Sequence, residues 1–140
     1  MKENSWPIAI GAFLILFSFI TIFPNEIVGE YGYFRTDFLS NLIYFLSGIT
    51  LVLFAIKFEY GVSKLMRSFG KGFLALAVLG ALTSGFNDYG MTLGILASSG
   101  PLHMLNLFLG LILLVVGTRE MRMSLDLHEE SAGYHVDMHS

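Results

Sequence analysis

The chain has 140 residues, 54% of them hydrophobic and only 14% charged, with a mean hydropathy of +0.68. Soluble domains carry about 25% charged residues, so the composition argues for a membrane protein; the mild net charge of −3 points to no nucleic-acid partner and no acidic substrate. There is no cysteine, which removes disulfides, thiolate metal sites and cysteine nucleophiles.

The missing charge is concentrated in four blocks. No charged residue occurs in the 22 positions between Glu3 and Glu26, the 19 between Asp37 and Lys57, the 16 between Lys71 and Asp88, or the 30 between Asp88 and Arg119. About 20 apolar residues carry a helix across a hydrocarbon core of ~30 Å. Three blocks meet that length, and Lys71 extends the third by snorkelling, so four spans are expected. The first, residues 7–23, begins at Trp6-Pro7, with Pro suited to a first helical turn and Trp to the lipid interface. No small-residue cleavage site follows it, so it reads as an uncleaved span rather than a signal peptide.

Residues 24–36 form a loop rich in aromatics and Gly, and Thr36 or Asp37 suits the N-cap of a second span, 37–58. The connection 57–71 carries Lys57, Lys64, Arg67 and Lys71 against one acid, Glu59. It reads as a basic turn that sets topology, with a short interfacial helix as the alternative. In the third span, 72–86, the small residues Ala77, Ala81 and Gly85 form one row, and Gly80 pairs with Ser84. Such rows let helix backbones approach closely in lipid. Residues 87–100 are apolar but broken by Gly, open to a loop, an interfacial helix or a re-entrant piece. The fourth span, 101–118, starts at Gly100-Pro101, and the polar tail 119–140 is expected to be largely disordered beyond a frayed helical start. If both termini and the 57–71 connection share one side, that side holds seven of the eight Lys and Arg residues, with Arg35 opposite. Both termini are therefore placed in the cytoplasm, and the protein in the cell's inner (plasma) membrane.

The second and fourth spans repeat one pattern. Asn41, Tyr44 and Gly48 have the spacing of His103, Asn106 and Gly110, and Gly11 falls within one residue of Gly72 when the copies are aligned. The repeated unit is two helices plus their external loop. An even number of crossings keeps both copies in the same orientation, which predicts a parallel pseudo-two-fold along the membrane normal.

These motifs carry a resemblance. The first span ending in Phe-Pro, the aromatic and Gly-rich loop, the N-x-x-[polar]-x-x-x-G start of the second span and the G-P-L-H-x-x-N-x-x-x-G start of the fourth resemble a family of small four-helix bacterial membrane proteins of unknown function. That family carries N-x-x-H-x-x-x-G in both halves. Here Tyr44 stands where a His is expected, and His103 and Asn106 are in swapped order. The resemblance, over most of residues 7–118, implies the fold and a membrane location and brings no activity.

His103 is the only histidine in the apolar region, and ionisable groups in spans are functional candidates. Two readings compete for Asn41, Tyr44, His103 and Asn106. In one they are a hydrogen-bonded clasp that fixes helix register. In the other they bind a small molecule or cofactor, for instance through a single axial imidazole. Asp88 could join a proton relay with His103, but reads more simply as the residue where the third helix leaves the membrane. His135-x-Asp137-x-His139 lies in a tail with nothing to fix a metal's ligands. No catalytic residue, metal site or cofactor is expected. The expected fold is all-α, a four-helix transmembrane bundle made of two tandem helical hairpins. Gly48, Ala77, Gly80, Ala81, Ser84, Gly85 and Gly110 would pack its helices. The expected role is non-enzymatic, structural or accessory, with the lipid bilayer, a homo-oligomer or a larger membrane complex as partners. An enzyme like the small quinone-linked four-helix membrane proteins is a third class, for which paired acid–base or redox residues are lacking.

Overall fold

The computed structural model describes residues 5–23, 26–29, 33–58, 61–85 and 90–136. These residues are mostly helical, with four helices among them: α1 (Ser5–Ile20), α2 (Phe38–Lys57), α3 (Val62–Ser84) and α4 (Gly100–Val136). Two short ribbons join them at one end. β1 (Val28–Gly29) pairs with β2 (Phe34–Arg35) between α1 and α2, and β3 (Gly90–Thr92) pairs antiparallel with β4 (Leu96–Ser98) between α3 and α4. The helices pack mainly as α1 on α2 and α3 on α4.

Each of these helix pairs crosses at two glycines. A Cβ added to Gly11 would lie 2.8 Å from the Gly48 carbonyl, and one added to Gly48 would lie 2.7 Å from the Gly11 carbonyl. In the other pair, Gly70 and Gly110 would each place a Cβ 2.9 Å from the other's carbonyl. The surroundings match as well. Val52 and Ile15, four residues beyond the first two glycines, press on them as Leu114 and Leu74 press on the second two. Where backbones must come this close, only Gly fits. The close approach therefore falls on Gly70 and not on Gly72, where a Cβ would meet nothing.

Burial follows the same double register. The buried positions of α2, Ser40, Tyr44, Gly48, Leu51 and Ala55, recur 62 residues later as buried Leu102, Asn106, Gly110, Leu113 and Gly117. Those of α1, among them Pro7, Gly11, Leu14 and Ser18, recur 59 residues later as Met66, Gly70, Phe73 and Ala77. Leu14, Leu51, Met66 and Leu113 are wholly excluded from solvent at the centre. The opposite faces carry Phe13, Leu16, Leu46, Leu53, Val78, Leu82, Phe108 and Val115, all exposed. Large apolar side chains pointing outward around a bundle suit a lipid surround rather than water.

Among the described residues three helices, Phe38–Lys57, Val62–Ser84 and Gly100–Arg119, are long and apolar enough to cross a membrane. α1 is apolar but has 16 residues, a rise of about 24 Å, short of the length a span needs.

Three segments differ from their sequence reading. α3 begins at Val62, so the basic stretch is neither a turn nor a separate interfacial helix but the first turns of α3 itself. Gly61, at φ 104°, precedes its first turn as the N-cap. Residues 90–98 are a β-hairpin, which was not among the alternatives; Leu93 at φ 55° and Gly94 at φ 73° form its turn. The helical start expected of the tail extends further, α4 running to Val136. Arg119 to Leu127 contains no Gly or Pro and is rich in Met, Leu, Arg and Glu, all strong helix formers.

Candidate functional site

Tyr44 and Asn106 meet at the centre of the ribbon-side half of the bundle. The Tyr44 hydroxyl donates to Asn106 Oδ1 at 2.5 Å, linking α2 to α4. Both residues are buried, at 2% and 5% exposure. The Tyr44 ring stacks on Phe73 of α3 at 5.7 Å between centroids and meets Phe17 of α1 edge-on at 5.4 Å. Tyr44 thus touches all three other helices, and its one polar atom has the partner that burial demands.

His103, one turn before Asn106 on α4, is held separately. Its imidazole sits against Gly80 of α3, where any Cβ would collide with the ring's Cε1 and Nδ1. Gly80 is the notch that admits the ring. His103 Nε2 lies 3.0 Å from Ser84 Oγ. Ser84 donates its own proton to the Gly80 carbonyl at 2.7 Å and accepts from Ser98 Oγ of β4 at 2.9 Å. A hydroxyl has one proton and two lone pairs. With its proton given to Gly80, Ser84 must accept from His103, which assigns the imidazole proton to Nε2.

A third set of bonds ties the ribbons to the helix starts. Asp37 caps α2: its Oδ1 accepts from Ser40 N–H at 2.7 Å, while its Oδ2 accepts from Ala97 N–H of β4 at 2.9 Å. Burial alone would raise the Asp37 carboxyl, but the hydrogen bonds from Ala97 and Ser40 together hold it below its ordinary value. Ser99 precedes α4; its Oγ accepts from Leu102 N–H at 3.4 Å and from Arg35 N–H of β2 at 3.2 Å, and donates to the Tyr33 carbonyl at 3.1 Å.

The four clasp candidates therefore do not form one network. Tyr44 and Asn106 bond each other, His103 bonds Ser84, and Asn41 stands apart. The Asn41 carbonyl accepts from Ser18 Oγ at 3.0 Å, while its side-chain Oδ1 is buried with no hydrogen-bond partner among the described residues. Of the expected packing residues, Gly48 and Gly110 form the crossings, Ala77 is buried and Ala81 half-buried. Gly85 caps α3 with φ 67°. Ser84 is more than a packing residue, since it carries the His103 contact. Sequence reasoning took Asp37 only as a cap and missed Ser98 and Ser99. Ser99 follows Asp37 by the same 62 positions that relate Asn41 to His103, a signal that could have found it. Asp88 and the His135, Asp137 and His139 side chains lie outside the described residues.

Between these groups lies a cavity of about 20 Å³ lined by Ser40, Tyr44, Thr92, Ser98, His103 and Asn106 together with apolar side chains. That is the space of about one water. With Tyr44, Asn106, Ser84 and Ser98 bonded to protein, the arrangement can hold helices in register and seat a single small polar molecule.

No protein-family model, curated protein or solved structure matches the chain. The resemblance to the four-helix family thus rests on its short motifs alone.

Proposed function

We propose that the chain is a non-enzymatic integral membrane protein with a structural or accessory role, whose ribbon-side polar cluster locks two duplicated helical hairpins together. All four helices cross the membrane in this reading. α1 does so as the shortest, with local bilayer thinning and Thr21–Phe23 making up its length. The hairpins are related by a pseudo-two-fold along the membrane normal. The end carrying Lys64, Arg67 and Arg119 faces the cytoplasm of the plasma membrane, following the positive-inside rule. The chain acts in a homo-oligomer or a larger membrane complex, and the likeness to the four-helix family of unknown function fits this role.

The observation that carries the proposal is the fit of the polar cluster to itself. A cavity of about 20 Å³ is far below the ~300–1,000 Å³ of small-molecule sites, and four of the polar side chains around it are bonded within the protein, Tyr44 to Asn106 and both His103 and Ser98 to Ser84. Support for the duplication comes from the matched burial registers and from Asp37 and Ser99, each of which caps its own helix and reaches the other hairpin's ribbon.

The test is native mass spectrometry, with an absorbance spectrum, on full-length protein extracted in a mild detergent. A colourless homo-oligomer, or a colourless complex with stoichiometric partner chains, is the expected result. A visible band or a stoichiometric small-molecule adduct that vanishes in His103→Ala would replace this reading with a ligand-binding one.

A further inference from the structure

The far end of α3 carries a different chemistry. Lys64, Arg67, Ser68 and Lys71 line an open groove of about 300 Å³. Their spacing of three, four and seven residues puts them on one face of the helix. Lys64, Ser68 and Lys71 are exposed, and the same stripe continues along α3 as exposed Ala75, Val78 and Leu82. One helix face is thus basic for two turns and apolar for the next three.

Arg67 is set deeper than the lysines. Its stem lies against α4, where a Cβ at Gly117 would meet Arg67 Cγ at 3.0 Å. The Arg67 Nε is buried and has no hydrogen-bond partner among the described residues. A buried donor left unbonded is costly, and a charged one calls for an acceptor that brings negative charge. A phosphate oxygen is that acceptor, and guanidinium–phosphate pairing is among the strongest hydrogen bonds available to a side chain.

The geometry points to a binding site for an anionic phospholipid on this face of α3. The phosphate is held by Arg67 with Lys64, Ser68 and Lys71, and an acyl chain lies along Ala75, Val78 and Leu82. Charge complementarity selects an anionic headgroup, and the apolar continuation selects a lipid over free phosphate. The site needs the chain to lie in a bilayer but is independent of the clasp at the opposite end.

Full-length protein in a neutral detergent, titrated with phosphatidylglycerol and followed by native mass spectrometry, tests it. Phosphatidylcholine and inorganic phosphate serve as comparison ligands. Phosphatidylglycerol is expected to bind at least tenfold more tightly than phosphatidylcholine. Lys64→Gln and Lys71→Gln should each weaken it about fivefold, and Arg67→Met should weaken it most. Lys57→Gln, at the end of α2 and outside the groove, should leave it unchanged. Should Arg67→Met fail to fold, the exposed lysines still decide the matter. Equal binding of the two lipids overturns the proposal, as does an equal loss in Lys57→Gln, which would mean diffuse attraction to a basic end. Displacement of phosphatidylglycerol by millimolar inorganic phosphate would make the ligand a free anion and overturn the lipid assignment. A loss of lipid preference in a protein that still purifies as a colourless oligomer removes this site and leaves the proposed structural role standing.

Discussion

Ser99 repeats what Asp37 does 62 positions earlier: each caps the helix it precedes and accepts a backbone N–H from the other hairpin's ribbon. Asp37 takes the N–H of Ala97, and Ser99 takes that of Arg35, which itself precedes Ala97 by 62 positions. The two bonds are one interaction made twice. Together with the Tyr44–Asn106 bond, whose partners are also 62 apart, they join the hairpins where few backbone contacts do so.

Asp37→Ala should therefore cost more than a surface cap. Loss of the cap contributes about 1 kcal/mol, and the stranded Ala97 N–H adds about 1–3 kcal/mol. The expected sum, about 2–4 kcal/mol, is read from denaturant titration in detergent micelles; a loss of about 1 kcal/mol would mean the bond to Ala97 contributes little.

The same carboxylate sets an acid limit. Its folded value lies below the ordinary 3.8, so between the two values the unfolded chain binds more protons and stability rises with pH. The contribution is complete above 3.8 and disappears as pH falls through the folded value. Asp37→Asn should flatten that acid branch in a pH series of the same titrations, and an unchanged branch would assign it to other carboxyls.

The all-helical class was legible in the sequence because its signals are local. Charge-free runs marked α1, α2 and α4, and the spacing of Asn41, Tyr44 and Gly48 against His103, Asn106 and Gly110 anticipated the burial register that recurs 62 residues apart. The boundaries of α3 were not legible, since Lys64, Arg67 and Lys71 look like a loop until Val62, Met66, Gly70 and Phe73 are seen to form its buried face. The site was half legible. Tyr44, His103 and Asn106 stood out as polar residues in apolar runs, but their partners depend on helix rotation. His103 turns to Ser84 because Gly80 opens a notch there, and no spacing rule along α4 reveals a notch on α3.

Tyr44→Phe isolates one hydrogen bond without changing the ring's stacking on Phe73. Interhelical polar bonds in membranes average ~0.6 kcal/mol and reach ~1.7. Full burial of both partners places this bond toward the upper value, about 1–2 kcal/mol. A double-mutant cycle with Asn106→Ala should return that coupling, and a coupling near zero would show that the pair fills space without clasping.

Gly70→Ala and Gly72→Ala, two residues apart on α3, should act in opposite directions. At Gly70 the new methyl would press on the Gly110 carbonyl at 2.9 Å and Leu114 Cγ at 2.8 Å, forcing the helices apart at a cost of about 1–3 kcal/mol. At Gly72 it would meet nothing, and better helix propensity should stabilise by up to about 1 kcal/mol. Thermal or denaturant unfolding of the pair checks this; equal effects would mean that the crossing at Gly70 and Gly110 is not tight.

Gly80 and His103 should compensate each other. Gly80→Ala fills the notch and must push the imidazole off Ser84, breaking the chain from Ser98 through Ser84 to His103. A loss of about 2–3 kcal/mol is expected from the clash and the broken bond. His103→Ala removes the ring that the new methyl strikes, so the double variant should be more stable than the two single losses added together, by at least about 1 kcal/mol. Additive losses would mean that the ring is displaced without strain and that Gly80 does not position it. Strong compensation would make Gly80 the residue that positions His103, and would explain why the imidazole contacts α3 rather than Asn41 or Tyr44.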